Sequence, residues 1–491
     1  MKNILRYALT ICAAGCLTGS CTSNFDEYNT NQNQMEMGDV HPLNLLEHIL
    51  FTGADGLVYR TWLLNNELIQ YTVQMYTENV HRYMIRDSYN SGTWNHLARW
   101  AANSDHMIEQ AVKNEDANSE AIALTMRALF VSNWTDIYGD IPFSEAFQGR
   151  NNVLKPKFDT QKEVYTQLFA DLERANSLYD TSRALRYPNK DLMYAGDIAK
   201  WRKFTNSLYM RLLMRLQNRD AEMGVSEKLR EIVSNPTLYP VMASNADNAA
   251  LFYTNVDPFI GHFGTMTLQS FTSNSHRMAE HLVNMMNNTN DPRLGIYAVQ
   301  QNNEWTGLVS GYPTTETNAT NCAYLNKDVL GDYTSPYTFM RYDEVLFILS
   351  EATFRGMVPG GSAAAQTYYE QAVLASIDYW DEINPSPTYE ITQAQKNAFM
   401  QIVAFDNTLE QILNQKYIAL FWVGYEAWHE YRRTGYPNLK IGKGTANDGV
   451  LPTRFIYPVT TVDTNRENYL KAIANQGPDN MKTRLWWARK Q

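Results

Sequence analysis

The sequence predicts an all-α fold of tetratricopeptide-like helix pairs interrupted by one loop-rich stretch. Apolar residues recur at steps of three and four along most of the chain, and helix-start signals precede several of these runs. The periodicity lapses most over residues 238–337, where Asn, Thr, Gly, Ser and Tyr dominate. The tetratricopeptide consensus does not recur at a fixed period of about 34 residues, so the repeat is expected in the packing of large against small side chains.

In chain order, Lys2 and Arg6 stand ahead of a short apolar run that is followed by polar sequence. This pattern reads as an export signal and not as a membrane span. Leu17, Thr18, Gly19 and Ser20 precede Cys21, and Ala14 and Gly15 precede Cys16, which suggests a lipoprotein signal. Cys21 is the preferred lipid site, with Cys16 and a plain cleaved signal as the alternatives. The expected organisation is a signal over residues 1–20, a polar acidic tether over 21–40 and a single body over 41–491. Cys12, Cys16 and Cys21 all fall in the leader, leaving Cys322 alone in the body. No disulfide can therefore form within the mature body, and clustered-Cys zinc sites are excluded.

Leu43 to Tyr76 carries Leu45, Leu46, Ile49, Leu50, Leu63, Leu64 and Leu68 at helical spacing, with Gly53 and Gly56 as the expected break between two helices. His81 to Asn95 has more polar and aromatic character than periodicity. It reads as a loop entering a helix at about Thr93, and Tyr83, Tyr89 and Trp94 are its candidate ligand contacts, Trp94 being also a core candidate. Ala121 to Ala146 is a helix followed by a turn over residues 138–142. Thr160 and Glu163 form a capping box ahead of the stripe Val164, Leu168, Leu172, Ala175. Trp201 to Leu216 is a helix whose arginines form a solvated or salt-bridged face.

Between 238 and 337 only Ser275 to Met286 reads as a helix. Gln300 to Asp332 sets Trp305, Tyr312 and Tyr324 among amide and hydroxyl side chains, with almost no apolar stripe. A loop of that length is functional or disordered. Its aromatics have no helix face on which to bury, so Trp305 and Tyr312 are the leading ligand-contact candidates, ahead of Tyr83 and Tyr89. Arg341 to Gly356 and the run from Ser362 form a further helix pair.

Asn407 to Pro437 holds the densest apolar and aromatic content. Asn407 with Glu410 suggests a capping box, Leu409, Ile412, Leu413, Tyr417, Leu420 and Phe421 share one face, and Gly424 divides the stretch into two helices. Trp428 and Tyr431 lie on one side of the second helix, where Arg432 and Arg433 suit its carbonyl end.

A formal charge of −10 without any basic run argues against nucleic acid and polyanionic partners. Aromatics make up 12% of the chain, with 31 Tyr and 11 Trp, enough to serve a surface as well as a core. No phosphate loop, dinucleotide fingerprint, HExxH or GxSxG motif occurs, so no nucleophile or cofactor cradle is indicated. His41, His48, His81, His96 and His106 form no i, i+4 ligand pair, and no metal site is expected.

Several segments together resemble one family. Gln415 and Lys416, then Glu426, Ala427 and Trp428, Arg432 and Arg433, and Gly435, Tyr436 and Pro437 are similar to the late core segment of SusD/RagB-like outer-membrane lipoproteins of Bacteroidetes. Tyr138 to Pro142, the helix from Trp201, and Glu344 with Glu351 and Ala352 resemble further segments of that family. So does the closing pattern of Pro452, Arg454, Tyr457, Pro458, Asn465, Asn468, Trp486 and Trp487. One departure is Thr461, where the family commonly has Glu.

The resemblance implies helix pairs forming a scaffold, with a loop-rich ligand-binding face packed against it. It also implies a lipid-anchored cell-surface protein of the outer membrane that captures oligosaccharides. These would pass to a SusC-like TonB-dependent transporter, without catalysis or cofactor. Stacking of sugar faces on Tyr and Trp, with Asn, Gln and Arg meeting hydroxyls, suits the loop-rich stretch. A peptide ligand, a lipoprotein enzyme and an assembly scaffold without carbohydrate affinity are the competing readings.

Overall fold

The computed structural model describes residues 41–75, 80–273, 276–315 and 321–490. Cys21, the leader and the tether lie outside the described residues. Helix α1 (Pro42–Arg60) runs straight through Gly53 and Gly56, where the sequence suggests a break. These glycines serve packing: a Cβ on Gly56 would sit 2.0 Å from Cε1 of His96 on the next helix. That helix, α2 (Asp87–Lys113), begins at Asp87 and not at about Thr93. Tertiary contact overrides the weak local preference, because Asn90, Trp94, Leu97 and Trp100 along its inner face are all buried.

Helix α3 (Ala117–Tyr138) is capped by Asp116, and α4 (Gln161–Leu178) by the expected Thr160–Glu163 capping box. Then come α5 (Ile198–Arg215), α6 (Val225–Ser234) and α7 (Glu280–Asn287). Helix α7 is shorter than Ser275 to Met286 because Arg277 and Met278 are drawn into a strand. Helices α8 (Tyr342–Phe354), α9 (Gly361–Glu382), α10 (Gln393–Ile402), α11 (Leu409–Ala419) and α12 (Glu426–Thr434) follow. The cap of α11 is Thr408, which accepts from the Gln411 N–H. Asn407 takes φ +60° in the preceding turn, a conformation Asn tolerates better than Thr does.

Each of α1 to α5 packs on the next, α5 packs on α8, and α8 packs on both α9 and α11. This neighbour-on-neighbour stacking is the all-α, tetratricopeptide-like arrangement. Buried charge ties the stack together. Arg211 of α5 grips both oxygens of Glu344 on α8, and Arg215 reaches Asp136 of α3 and Glu426 of α12. Lys416 of α11 and Arg433 of α12 converge on Glu430. Arg211 and Arg215 of α5 thus form a salt-bridged face, while Arg202, partly exposed, donates to Asn176 and the Leu238 carbonyl. Arg433 serves a buried network, while Arg432 lies over the Trp428 ring at 3.8 Å.

The loop-rich stretch contains more regular structure than its composition suggests. Strands β1 (Thr72–Val73), β3 (Arg277–Met278), β4 (Ala298–Val299) and β5 (Tyr324–Leu325) form an antiparallel sheet in the order β1-β3-β5-β4. Its register pairs Thr72 with Met278, Arg277 with Tyr324, and Val299 with Tyr324. A second pair joins β2 (Ala249–Leu251) to β6 (Tyr337–Met340).

Candidate functional site

Beside the four-stranded sheet, three distant segments close a groove of about 900 Å³, within the range of about 300–1,000 Å³ typical of ligand pockets. Its walls are the start of α7 (Glu280, His281, Asn284, Met285), residues 306–313, and residues 440–443, with Gln70 between them. Backbone contacts hold these walls. The Glu280 N–H donates to the Leu308 carbonyl and the Leu308 N–H to the Met278 carbonyl, both at 2.8 Å. The Gly444 N–H donates to the Gly311 carbonyl at 2.8 Å, and the Gln70 amide to the Lys440 carbonyl at 2.9 Å. The segments approach so closely that a Cβ on Gly442 would lie 2.3 Å from the Gly311 carbonyl oxygen.

Under the groove sits a small apolar cluster of Val73, Ala279, Leu308, Tyr312 and Cys322. Tyr312 is therefore only 4% exposed, contrary to the expectation of an open stacking platform. Its hydroxyl donates to the Met75 carbonyl at 2.7 Å, the Arg82 guanidinium lies 4.4 Å over its ring, and the His81 ring is 5.0 Å away. The sheet supplies the burying surface that no helix face could. His81 accepts from the Gly311 N–H at 3.0 Å; burial, aided by Arg82, lowers its pKa to about 3 and keeps it a neutral acceptor.

The other candidates are dispersed. Tyr83 is 1% exposed with φ +63°, so it has no face open to a ligand. Tyr89 lies in the first turn of α2, partly buried against the main core. Trp94 is buried among Trp134, Tyr138 and Tyr457. Trp305 is partly buried against the main core, one residue before the groove wall begins at Thr306.

Two polar atoms of the lining, Nε2 of His281 and Oγ of Ser310, are buried without a hydrogen-bond partner among the described residues. They are two of 26 such atoms among the described residues, and what sets them apart is their place in the lining of a groove. Burial, and secondarily Lys440, lowers the His281 pKa to about 4, so its imidazole is neutral near pH 7. His281, Ser310, Lys440 and Lys443 belong to no motif or capping pattern in the sequence. The local signal for the two lysines is the KIGKG run, which sets them among glycines.

A second cleft of about 490 Å³ lies among α2, α3 and α4, lined by Asp105, Arg127, Phe143, Phe147, Lys157 and Asp159 among others. Its charges are already matched: Arg127 pairs with Asp105 and Asp171, and Lys157 with Asp159. The groove, and not this cleft, has polar groups to spare. Among the described residues no cluster of His, Cys, Asp or Glu could hold a metal ion, and no helix is long and apolar enough to cross a membrane.

Comparison with solved structures finds the same fold repeatedly. A chitin-binding protein is 25% identical, with a TM-score of 0.78, covering 91% of this chain and 100% of its own. A SusD homologue from Bacteroides fragilis is 24% identical with a TM-score of 0.77, over 92% of this chain and 100% of its own. A chitin-binding SusD homologue from Flavobacterium johnsoniae is 22% identical with a TM-score of 0.76, over 91% of this chain and 99% of its own. No curated protein matches in sequence. Residues 32–458 match the SusD-like family described as starch-binding and associating with the outer membrane, and the chain belongs to that family.

Proposed function

We propose that this protein captures glycans at the outer-membrane surface through the groove between α7 and the segments 306–313 and 440–443, and hands them to a SusC-like TonB-dependent transporter. The observation that carries the reading is the unpaired polar lining, Nε2 of His281 and Oγ of Ser310, beside the apolar side chains of Leu308, Val309, Met285 and Ile441. Sugars present that combination in reverse, with apolar ring faces and a rim of hydroxyls. Membership of a family described as starch-binding, and the likeness to a chitin-binding protein at 25% identity, support it. The protein binds and does not hydrolyse, and a lipid on Cys21 anchors it.

Titration calorimetry against starch- and chitin-derived oligosaccharides tests the reading, run beside a Val309→Trp variant that fills the groove from an exposed position. Affinity lost in the variant at an unchanged melting temperature supports the groove. Undiminished affinity moves the site elsewhere, and affinity for peptides alone replaces the ligand class.

A further inference from the structure

The groove carries charge that the rest of the protein does not lead one to expect. The chain has a formal charge of −10, yet Lys440 and Lys443 both line the groove. Both are exposed, and neither has an ion-pair partner among the described residues. In the second cleft, by contrast, the lining lysine is paired, Lys157 with Asp159.

The loop that bears the two lysines is held by its backbone. Gln70 donates to the Lys440 carbonyl, the Gly444 N–H to the Gly311 carbonyl, and the Ala446 N–H to the Arg82 carbonyl. The ammonium groups are thus carried on a fixed wall and remain free to meet a ligand. The one carboxylate in the lining, Glu280, is the first residue of α7, and among the described residues it forms no ion pair with either lysine.

We infer that the groove is built for an acidic oligosaccharide, whose ring faces lie on Leu308, Val309, Met285 and Ile441 while its carboxylates reach Lys440 and Lys443. This rests on the reading of the groove as the glycan site. The apolar floor distinguishes the ligand from a bare inorganic anion, which would gain nothing from it. The lysines distinguish it from starch and chitin chains, which offer no charge for them to meet. In a protein of net negative charge, a local positive wall also counters the repulsion that an acidic chain meets on approach.

The test is titration calorimetry of the protein with oligosaccharides from pectin, alginate and hyaluronan, set beside neutral starch and chitin fragments of equal length. Methyl-esterified galacturonate oligomers serve as a shape-matched neutral control. The expected result is tighter binding of at least one acidic chain than of any neutral one, and its weakening as salt rises from about 0.01 to 1 M. Esterification should cost about tenfold or more, the scale of one charge-assisted hydrogen bond. Lys440→Ala with Lys443→Ala should cost a similar factor for the acidic chain alone, and Lys443→Arg should retain it. Equal affinity for acidic and esterified chains, or an acidic affinity indifferent to the double variant, overturns the inference. If neutral fragments bind best and Val309→Trp abolishes that binding, the inference falls and the groove stands. If no oligosaccharide binds in the groove, both fall.

Discussion

Arg433 holds Glu351 by two parallel hydrogen bonds, Nη1 to Oε1 at 2.7 Å and Nη2 to Oε2 at 2.5 Å, with both side chains fully buried. The contact joins α12 to α8, and Arg433 also meets Glu430, which Lys416 of α11 contacts in turn. Burial alone would raise the Glu430 carboxyl, but Arg433 and Lys416 outweigh it and hold the group well below its usual range. Removing one partner of such a pair strands the other charge, a loss of about 3–5 kcal/mol. Arg433→Ala should therefore cost about that much in denaturant unfolding. A loss below about 1 kcal/mol, the scale of an exposed pair, would show the network to be dispensable.

A second prediction concerns acid. His96 accepts from the Trp100 indole N–H on Nδ1 and lies 3.2 Å from the Gly53 carbonyl through Nε2, an arrangement that suits the neutral ring protonated on Nε2. Burial, with Arg60 close by, lowers its pKa to about 3 from an ordinary value of 6.5. The unfolded chain thus binds the proton more readily than the folded one. Stability from this group is complete above about pH 6.5 and is lost as pH falls toward 3, by up to about 1.4 kcal/mol per pH unit. His96→Gln should flatten the dependence of unfolding free energy on pH between 6 and 4 by about one proton. An unchanged slope would mean that His96 titrates normally in the folded protein.

Gly442 provides a test of groove shape that leaves the groove's chemistry alone. Any side chain there meets the Ser310 and Gly311 carbonyl oxygens at 2.4 and 2.3 Å, so backbone and not a flexible side chain must move. Gly442→Ala should part the 306–313 and 440–443 walls, reducing glycan affinity at least about tenfold and lowering stability by about 1–3 kcal/mol. Retained affinity would place the ligand away from this junction.

Membrane attachment is a separate question, because Cys21 lies outside the described residues. Lipidation there predicts that Cys21→Ala releases the protein into the soluble fraction and ends incorporation of labelled palmitate. If Cys16→Ala has that effect and Cys21→Ala does not, the lipid is on Cys16.

Most of the helical scaffold was legible because its signals are local and repeated. The Thr160 capping box and the stripe from Val164 to Ala175 predict α4 directly, and the paired helices about Gly424 are present. Glu426, Trp428, Arg433 and their companions carry the family resemblance, and their buried contacts give the physical reason why those residue types stand together. Trp428 is fully buried, its indole N–H donating to the Pro452 carbonyl at 2.8 Å.

The groove was not legible. It is assembled from Gln70, α7, residues 306–313 and residues 440–443, segments far apart in sequence that contribute few lining residues each and no periodicity. The strands behind it are two residues long, too short for any alternating pattern, and they bury Tyr312 without announcing that they can. Asn407 failed for a more local reason, since Asn suits both a cap and a left-handed turn and the adjacent Thr408 took the cap.

Trp305 is where sequence and structure leave the sharpest question about stacking. It lies just before the groove wall and is partly buried against the main core, while Tyr312 is only 4% exposed and Tyr83 1%. If the free part of the indole extends the apolar floor beyond Leu308 and Val309, a longer oligosaccharide gains one more ring contact and a shorter one gains nothing. Stacking of this kind contributes about 0.5–1.5 kcal/mol, so Trp305→Ala should lower affinity several-fold for long chains and leave short ones unchanged. The buried part of the ring sets the accompanying loss of stability, which should stay below the about 3–5 kcal/mol of a wholly buried Trp. Calorimetry across a length series, beside a melting curve for each variant, separates the outcomes. A length-dependent loss places Trp305 on the platform, unchanged affinity at every length removes it, and a collapsed melting temperature makes it part of the core.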